Sequence, residues 1–273
     1  MLRNRNVWLL GVASLLNDVA SEMVMPLLPV FLVTVLGGGA ATLGAIEGAA
    51  DLVASGLKWL AGVASDRTGR SRPFVWAGYG LAGLARPFLA FASAPGHVLA
   101  VRLVDRVGKG IRTAPRDALL SASVAPEQRG AAFGFHQSMD HLGAAIGPAV
   151  ALLLLLLWTK DLRAIFLVAA VPGLAAALVV PFTVEVRRPP ASAGSEPISP
   201  ELWRFLLPVA VVSFGTASDA FLMLQAGVAS HAPIESLPVI WVVLHLVRTA
   251  AATPGGWLSD RVDPRWVVAA GWG

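Results

Sequence analysis

Two long stretches of the chain contain no Asp, Glu, Lys or Arg, and they restrict the possible folds more than any other feature. They cover residues 142–159 and 164–184. Both approach or exceed the roughly 18 residues at which an uncharged apolar segment becomes a candidate to span a bilayer. Charged residues make up only 14% of the chain, whereas a soluble domain carries about 25%. The sequence therefore predicts an integral membrane protein with several spanning helices.

Six spanning helices are predicted ahead of a polar, Pro- and Ser-rich segment, and two more follow it. We expect a six-helix bundle over residues 1–188, a cytoplasmic linker over 189–200 and the incomplete start of a second bundle over 201–273. Proline, serine and glycine in the middle segment are typical of a linker. The helices are expected near residues 7–36, 40–64, 73–93, 96–124, 130–158, 162–183, 202–229 and 234–258. The predicted fold class is all-α and membrane-integral.

Basic residues occur at alternate ends of the predicted helices, which sets the expected orientation. Cytoplasmic loops are enriched in Lys and Arg. The loops on one side of the predicted membrane contain only two basic residues, Lys160 and Arg163, so the other side is expected to face the cytoplasm. The N-terminus is therefore expected in the cytoplasm. The excess of arginine over lysine is typical of a GC-rich bacterial genome, so we expect the bacterial cell (inner) membrane. The basic loops contain Arg3, Arg5, Arg67, Arg70, Arg72, Arg129, Arg187, Arg188, Arg261 and Arg265.

The chain partly repeats itself. The stretch AGVASDRTGRSRPFV at 61–75 is echoed by PGGWLSDRVDPRWVV at 254–268, and each copy carries a Ser-Asp-Arg at the end of a second helix. Parallel repeats of six helices are a known transporter architecture. The second copy stops inside its third helix, so we expect a chain truncated at its C-terminus.

Three motifs resemble those of the major facilitator superfamily, and two further segments resemble a bacterial permease branch of it. GVASDRTGRSR resembles the loop signature G-x-x-x-D-R-x-G-R-x-R between helices two and three; LGAAIGPAV resembles the fifth-helix G-x-x-x-G-P signature of antiporters. Arg102 with Gly108 and Gly110 resembles the fourth-helix signature. The resemblance to the permease branch rests on the segments LLNDVASEMVMPLLPVFL and DRVGKGIRTAPRDAL. The matched loop residues are Gly62, Asp66, Arg67, Gly69, Arg70 and Arg72, and those of the fifth helix are Gly143, Gly147 and Pro148.

This resemblance implies a transporter with two bundles that rock around a central site. The loop residues would act as a cytoplasmic gating latch during alternating access. The helix-five motif favours antiport, although the paired glycines that usually follow it are replaced near Ala151 and Leu152.

The stretch AVRLVDRVGKGIRTAPRDALL, residues 100–120, places many charges in one predicted spanning helix. A charge that faces lipid is costly, so the charged face is expected to look into the bundle or a water-filled cavity. The two arginines nearest the cytoplasmic end, Arg112 and Arg116, are expected to reach water there. At about 100° per residue the following side chains fall within an arc of about 120°: Arg102, Asp105, Arg106, Lys109, Arg112 and Arg116.

Carboxylates on other helices are natural partners for these cations. Asp18 and Glu22 are four residues apart, as are Glu47 and Asp51, so each pair shares a helix face. Two interpretations stay open: ion pairs that only fasten helices together, or a proton-coupled switch with Asp18 as the first choice. We predict a charge network formed by Asp18, Glu22, Glu47, Asp51, Arg102, Asp105, Arg106, Lys109 and Asp140.

Further polar residues are candidates for a substrate cavity. His136 and Asp140 lie one turn apart, but His141 points about 100° away from Asp140, so no metal site is predicted. The sequence has no cysteine, which excludes thiolate ligands. The cavity candidates are Arg86, His136, Gln137, Asp219, His245 and Arg248.

Several function classes are excluded by missing patterns. Lys109 follows Gly108, but Leu103 and Gly110 stand where a nucleotide-binding loop needs glycine and Ser or Thr. Nucleic-acid binding needs a basic face with polar surroundings, and the flanks are apolar. Neither G-x-S-x-G nor H-E-x-x-H occurs, so no catalytic residue, enzyme activity or cofactor is predicted.

The predicted function is secondary active transport, with proton-coupled export of a small organic solute or drug by alternating access. Proton-coupled uptake of an anionic solute is the alternative within the same class. A non-transporting receptor or scaffold on this fold is a further alternative. The expected partners are a small-molecule substrate, protons and the lipid bilayer, and no oligomeric state is predicted.

Overall fold

The computed structural model describes residues 4–187, 199–215, 237–263, 266–267 and 270, and within these ranges the regular structure is entirely helical. The predicted all-α fold is therefore confirmed, and all six helices expected before the polar segment are present. The helices are α1 (Arg5–Val24), α2 (Ala40–Thr68), α3 (Arg72–Ala85), α4 (Pro95–Ala122), α5 (Arg129–Leu157), α6 (Leu162–Val179), α7 (Pro200–Gly215) and α8 (Leu237–Ser259).

Local sequence explains several helix ends. The Asn4 side chain accepts hydrogen bonds from the backbone N–H groups of Asn6 and Val7 and so caps α1. Gly69 ends α2 in a left-handed conformation with φ 64°, which glycine adopts without steric cost. After α1 the chain continues through a short helical turn at Leu28–Val30 and a π-helical turn at Phe31–Val35.

Four described segments are long and apolar enough to cross a membrane, namely Arg5–Val35, Arg72–Phe91, Pro126–Leu157 and Leu162–Phe182. The helices α2 and α4 lie between them and carry the charges that the sequence places inside the membrane. Large apolar side chains are exposed on the outer surface, where lipid would cover them. The description as a membrane-spanning helical bundle follows from this distribution.

Small residues set the distance between helices. Helix α1 packs against α5 and α6, α4 packs against α2 and α3, and α8 packs against α5. A Cβ atom added at Gly147 of α5 would lie 2.8 Å from the Val19 carbonyl oxygen of α1, and one at Gly78 of α3 would lie 2.5 Å from the Gly108 carbonyl oxygen of α4. Both contacts require glycine because the two backbones meet there.

Candidate functional site

A chain of ion pairs joins α2, α4 and Arg86, the residue that follows α3. Arg86 donates from Nε to Asp105 Oδ1 at 3.0 Å. Arg102 donates from Nε and Nη2 to the two oxygens of Glu47 at 2.9 and 2.6 Å. The Arg102–Glu47 contact is bidentate, which is the strongest geometry for a guanidinium and a carboxylate. Arg102 Nη1 also lies 3.5 Å from Asp105 Oδ2, so the Arg86–Asp105 and Arg102–Glu47 pairs form one network.

The network extends to α1 and further along α2 to Asp51. Arg86 donates to both the backbone oxygen and the side-chain oxygen of Asn17, at 3.0 and 2.9 Å. Arg106 reaches Glu47 at 3.7 Å and Asp51 at 3.3 Å. The carboxylates differ in burial: the Asp105 side chain is 4% exposed, whereas the Asp51 side chain is 69% exposed. The contacts among Arg86, Asp105 and Arg102 are therefore enclosed by the bundle, and Asp51 lies at the bundle surface.

A polar cavity of about 240 Å³ lies beside this network, between α1, α3, α4 and α5. Helix α1 contributes an acidic and hydroxyl-rich wall, and α4 contributes a cationic wall opposite. The lining residues are Ser14, Asn17, Asp18, Ser21, Glu22, Met25, Arg86, Asp105, Arg106, Lys109, Arg112, Thr113, Arg116 and Asp140.

Three carboxylates in this cavity are not paired with an arginine or a lysine among the described residues. Asp18 accepts a hydrogen bond from Asn17 Nδ2 at 2.9 Å. Asp140 accepts a hydrogen bond from the Ser14 hydroxyl and lies 3.5 Å from His136 Nδ1. Within the described ranges, no Arg or Lys nitrogen is within ion-pair distance of Asp18, Glu22 or Asp140. Their oxygens are thus available to a proton or a solute.

Two arginines lie in the bundle instead of reaching cytoplasmic water as the sequence predicted. Arg112 is buried, with its guanidinium 4.5 Å from the centre of the Tyr79 ring, and its Nη1 has no hydrogen-bond partner among the described residues. Arg116 is mostly buried and pairs with Asp117 at 3.0 Å. The expectation was wrong because the cationic face of α4 continues along the cavity to Arg116.

The predicted substrate-cavity residues do not all meet in one place. Arg86 lines the cavity, and His136 is buried next to Asp140. Gln137 is exposed and lies 3.4 Å from His141. The two side chains expected from α8, His245 and Arg248, are buried and half-buried, and His245 Nδ1 lies 3.3 Å from His141 Nδ1. Asp219 falls outside the described residues.

The described residues also contain no group of three His, Asp or Glu arranged to hold a metal ion. The chemistry available at this site is therefore that of carboxylates, guanidiniums, one ammonium and hydroxyls.

Comparison with known proteins assigns the fold to a family. The family model of the Major Facilitator Superfamily matches residues 10–273. The chain belongs to the major facilitator superfamily. It is also 31% identical over 279 residues to an uncharacterized MFS-type transporter of Methanocaldococcus jannaschii, a match that covers 98% of this chain and 70% of that protein. This is a family of membrane transporters, and its fold accounts for the first bundle and for the helices that follow.

Less similar proteins match as well. An uncharacterized protein of Mycobacterium tuberculosis is 29% identical over 275 residues, covering 94% of this chain and 66% of that protein. The multidrug resistance protein MdtH of Photorhabdus laumondii is 29% identical over 181 residues, covering 64% of this chain and 44% of the other. The human organic anion transporter MFSD10 shares the fold, with a TM-score of 0.72 and 17% identity over 97% of this chain and 74% of that one.

The superfamily loop between α2 and α3 is built around a tight turn. Gly69 supplies the left-handed residue, and the Ser65 and Ser71 hydroxyls are 3.1 Å apart across the turn. Glu185, which follows α6, accepts hydrogen bonds from the backbone N–H groups of Ser71 and Arg72 at 3.1 and 2.9 Å. The other predicted residues of this loop are Gly62, half-buried on α2, and the exposed Asp66, Arg67 and Arg70.

The segment predicted to repeat the loop motif links α8 to α5. The Asp260 carboxylate accepts hydrogen bonds from the backbone N–H groups of Gly130 and Ala131 at 2.6 and 2.8 Å, so it caps α5 from the end of α8. Further along, the Ser138 hydroxyl donates to the Thr249 carbonyl at 2.8 Å. These contacts close the α5–α8 interface at the end of the molecule that carries the superfamily loop.

The helix-five motif of the superfamily packs on α1. Cβ atoms added at Gly143 and Gly147 would lie 2.6 Å from the Leu15 carbonyl oxygen and 2.8 Å from that of Val19. Pro148 lies within the same helix. The motif therefore brings α1, with its acidic face, close to α5 and to Asp140.

Sequence reasoning missed several lining residues. Ser14, Asn17 and Ser21 join Asp18 and Glu22 in the cavity wall. A signal was present, because positions 14, 17, 18, 21 and 22 share one helix face at 3.6-residue spacing. Thr113 was also missed, and it lies on the cationic face of α4.

Proposed function

We propose that the protein is a secondary active transporter that couples protons to the export of a small organic solute or drug by alternating access. The observation that carries this proposal is the presence of Asp18, Glu22 and Asp140 in one polar cavity, with no Arg or Lys among the described residues paired to any of them. Ionisable groups inside a membrane protein are costly, and they mark proton and solute pathways.

Proton coupling needs a carboxylate that can release its proton when the cavity changes sides. Carboxylates in tight pairs, such as Glu47 with Arg102, are poor carriers because the guanidinium neutralises them permanently. Asp18 and Glu22 have no such partner and lie one turn apart on α1. We therefore propose Asp18 as the principal coupling residue and Glu22 as its neighbour in the same relay.

Alternating access needs a contact that can close and open one end of the cavity. The contact of Asp260 with the start of α5 supports that role because its partners are the backbone N–H groups of Gly130 and Ala131, which water can also satisfy. We propose that this contact, together with the superfamily loop after α2, acts as the cytoplasmic latch. In this proposal residues 1–188 form one rocking bundle, 189–200 the cytoplasmic linker and 201–273 part of the second bundle. The N-terminus lies in the cytoplasm of a bacterial cell, with the bundles in the inner membrane.

Two features support export as the direction. Gly143, Gly147 and Pro148 match the antiporter form of the helix-five motif, and they hold α1 against α5. One relative is named a multidrug resistance protein.

Uptake of an anionic solute is the second candidate, and the cationic wall of α4 favours it. Arg112 Nη1 has no hydrogen-bond partner, and Lys109 has no ion pair among the described residues. A carboxylate or phosphate group on a solute could occupy this wall.

Transport in everted membrane vesicles separates these proposals. Vesicles that contain the protein are energised with an inside-acid pH gradient and are either offered fluorescent cationic dyes from outside or preloaded with small carboxylates. Export by proton exchange predicts dye accumulation inside the everted vesicles that collapses with the gradient. Loss of preloaded carboxylate from the vesicles, driven by that gradient, would instead support anion uptake, and no solute movement with either panel would contradict the export proposal.

A further inference from the structure

A second cleft, remote from the polar cavity, lies at the end of the bundle that carries the superfamily loop. It has a volume of about 530 Å³ and is formed by the start of α3 and the segment after α6. We call it the α3–α6 cleft. Arg70, Arg72 and Trp76 line one side, and Glu185 and Arg187 line the other.

The α3–α6 cleft carries surplus positive charge. Both oxygens of Glu185 are occupied by the backbone N–H groups of Ser71 and Arg72. The Arg72 guanidinium donates to the Pro181 carbonyl oxygen. In the described part of the chain, the guanidiniums of Arg70 and Arg187 are exposed and have neither a hydrogen bond nor an ion pair. Two arginines are thus free to bind an anion.

The cleft lies where two spanning helices end. One candidate span begins at Arg72 and another ends at Phe182, so the free arginines are just outside the apolar core. One turn deeper, Trp76 is 54% exposed, and Phe182 is 60% exposed. Aromatic side chains of this kind lie at the level of lipid headgroups. Arginines outside the apolar core, followed by aromatic rings closer to it, match the order of the charged headgroup and the apolar chains in a phospholipid.

We propose that the α3–α6 cleft binds the headgroup phosphate of an anionic phospholipid. The Arg70 and Arg187 guanidiniums would bind the phosphate oxygens, since the planar fork of arginine matches phosphate geometry. Trp76 would contact the glycerol and the first methylene groups. Basic pockets between spanning helices are known to bind anionic headgroups. The proposal does not depend on transport, because the cleft shares no residue with the polar cavity.

Native mass spectrometry of the detergent-purified chain tests this proposal. Phosphatidylglycerol and phosphatidylcholine with identical acyl chains are titrated against the wild type and against R70A/R187A. A matched control, R5A/R129A, removes two other exposed arginines from the same end of the molecule. We expect tighter binding of phosphatidylglycerol by the wild type, and an affinity about 25-fold lower in R70A/R187A, at about fivefold per arginine. The control is expected to keep the wild-type affinity.

Three results would overturn the proposal. These are equal affinity for the two lipids, an equal loss in R5A/R129A, or an unchanged affinity in R70A/R187A. A separate titration adds soluble glycerol phosphate as competitor. Displacement of the lipid by an equal concentration of glycerol phosphate would show that the cleft recognises free phosphate, which contradicts a lipid site. The variant R70K/R187K keeps the charge and removes the fork, and we expect it to bind between the wild type and the alanine variant.

Discussion

The Asp105→Asn substitution probes the buried part of the ion-pair network directly. The Asp105 carboxylate is 2.9 Å from Arg86 and 3.5 Å from Arg102, and all three side chains are buried. Removing one partner of a buried pair costs about 3–5 kcal/mol because a buried charge loses its compensation. Here Arg102 keeps its bidentate contact with Glu47, and Arg86 keeps both contacts with Asn17. The expected loss is therefore at the lower end, about 3 kcal/mol.

The matched control is Asp51→Asn, which makes the same chemical change in the same network. The Asp51 side chain is 69% exposed and 3.3 Å from Arg106. This contact lies at the surface of the bundle, and Arg106 keeps Glu47 as a second partner, so the variant is expected to lose less stability than Asp105→Asn. Both variants are unfolded reversibly from mixed micelles by SDS, and helicity is followed by circular dichroism. A loss of about 3 kcal/mol lowers the folding equilibrium constant by roughly 150-fold.

An equal loss of the free energy of unfolding in the two variants would contradict this prediction. Additive effects of Arg86→Gln and Asp105→Asn in the double variant would contradict it as well, because contacting groups should show a coupling energy of about 0.5–3 kcal/mol.

Three further predictions concern packing, capping and the buried aromatic ring. Gly147→Ala should lower the free energy of unfolding by about 1–3 kcal/mol because the new Cβ atom contacts α1. The control Gly48→Ala should not lower it, because nothing lies within 4 Å of the new Cβ atom there. Equal thermal unfolding of the two variants would contradict this prediction. Asp260→Ala should speed hydrogen exchange at the Gly130 amide by about fivefold, which corresponds to about 1 kcal/mol of lost capping, and unchanged exchange would refute the cap. Tyr79→Phe should leave the free energy of SDS unfolding unchanged because the hydroxyl has no hydrogen-bond partner among the described residues. Tyr79→Leu should lower it by about 1–2 kcal/mol because the contact of the ring with the Arg112 guanidinium is lost. A larger loss in Tyr79→Phe than in Tyr79→Leu would be inconsistent with that contact.

Much of the ion-pair network between α2 and α4 could be predicted from the spacing of the charged residues alone. Glu47 and Asp51 are one turn apart on α2, and Arg102 and Arg106 are one turn apart on α4. Two helices that pack along each other with this matched spacing bring opposite charges together, and the structure pairs them that way. The helix count was accessible for the same reason, because it depends on local hydropathy and on charge at the helix ends.

The arrangement of the cavity could not be predicted in this way. Whether the cations of α4 pair with Asp18 or Glu22 depends on where α1 packs, and that is set by the glycines of α5 that contact α1. Contacts between distant segments leave little trace in a local pattern. The burial of Arg112 is a second example, since it depends on Tyr79 of α3 lying against its guanidinium. A helical wheel shows which residues share a face but not how deep that face lies.

Proton movement in the Asp18→Asn/Glu22→Gln variant tests the central proposal most directly. The protein is reconstituted in liposomes that contain a pH-sensitive dye, and a transported solute is added without an imposed gradient. The wild type and the matched control Glu127→Gln, an exposed carboxylate far from the cavity, should move protons in proportion to solute. The double amide variant should bind or exchange solute but move no protons. Proton movement at the wild-type ratio in that variant would contradict the assignment of coupling to these two carboxylates.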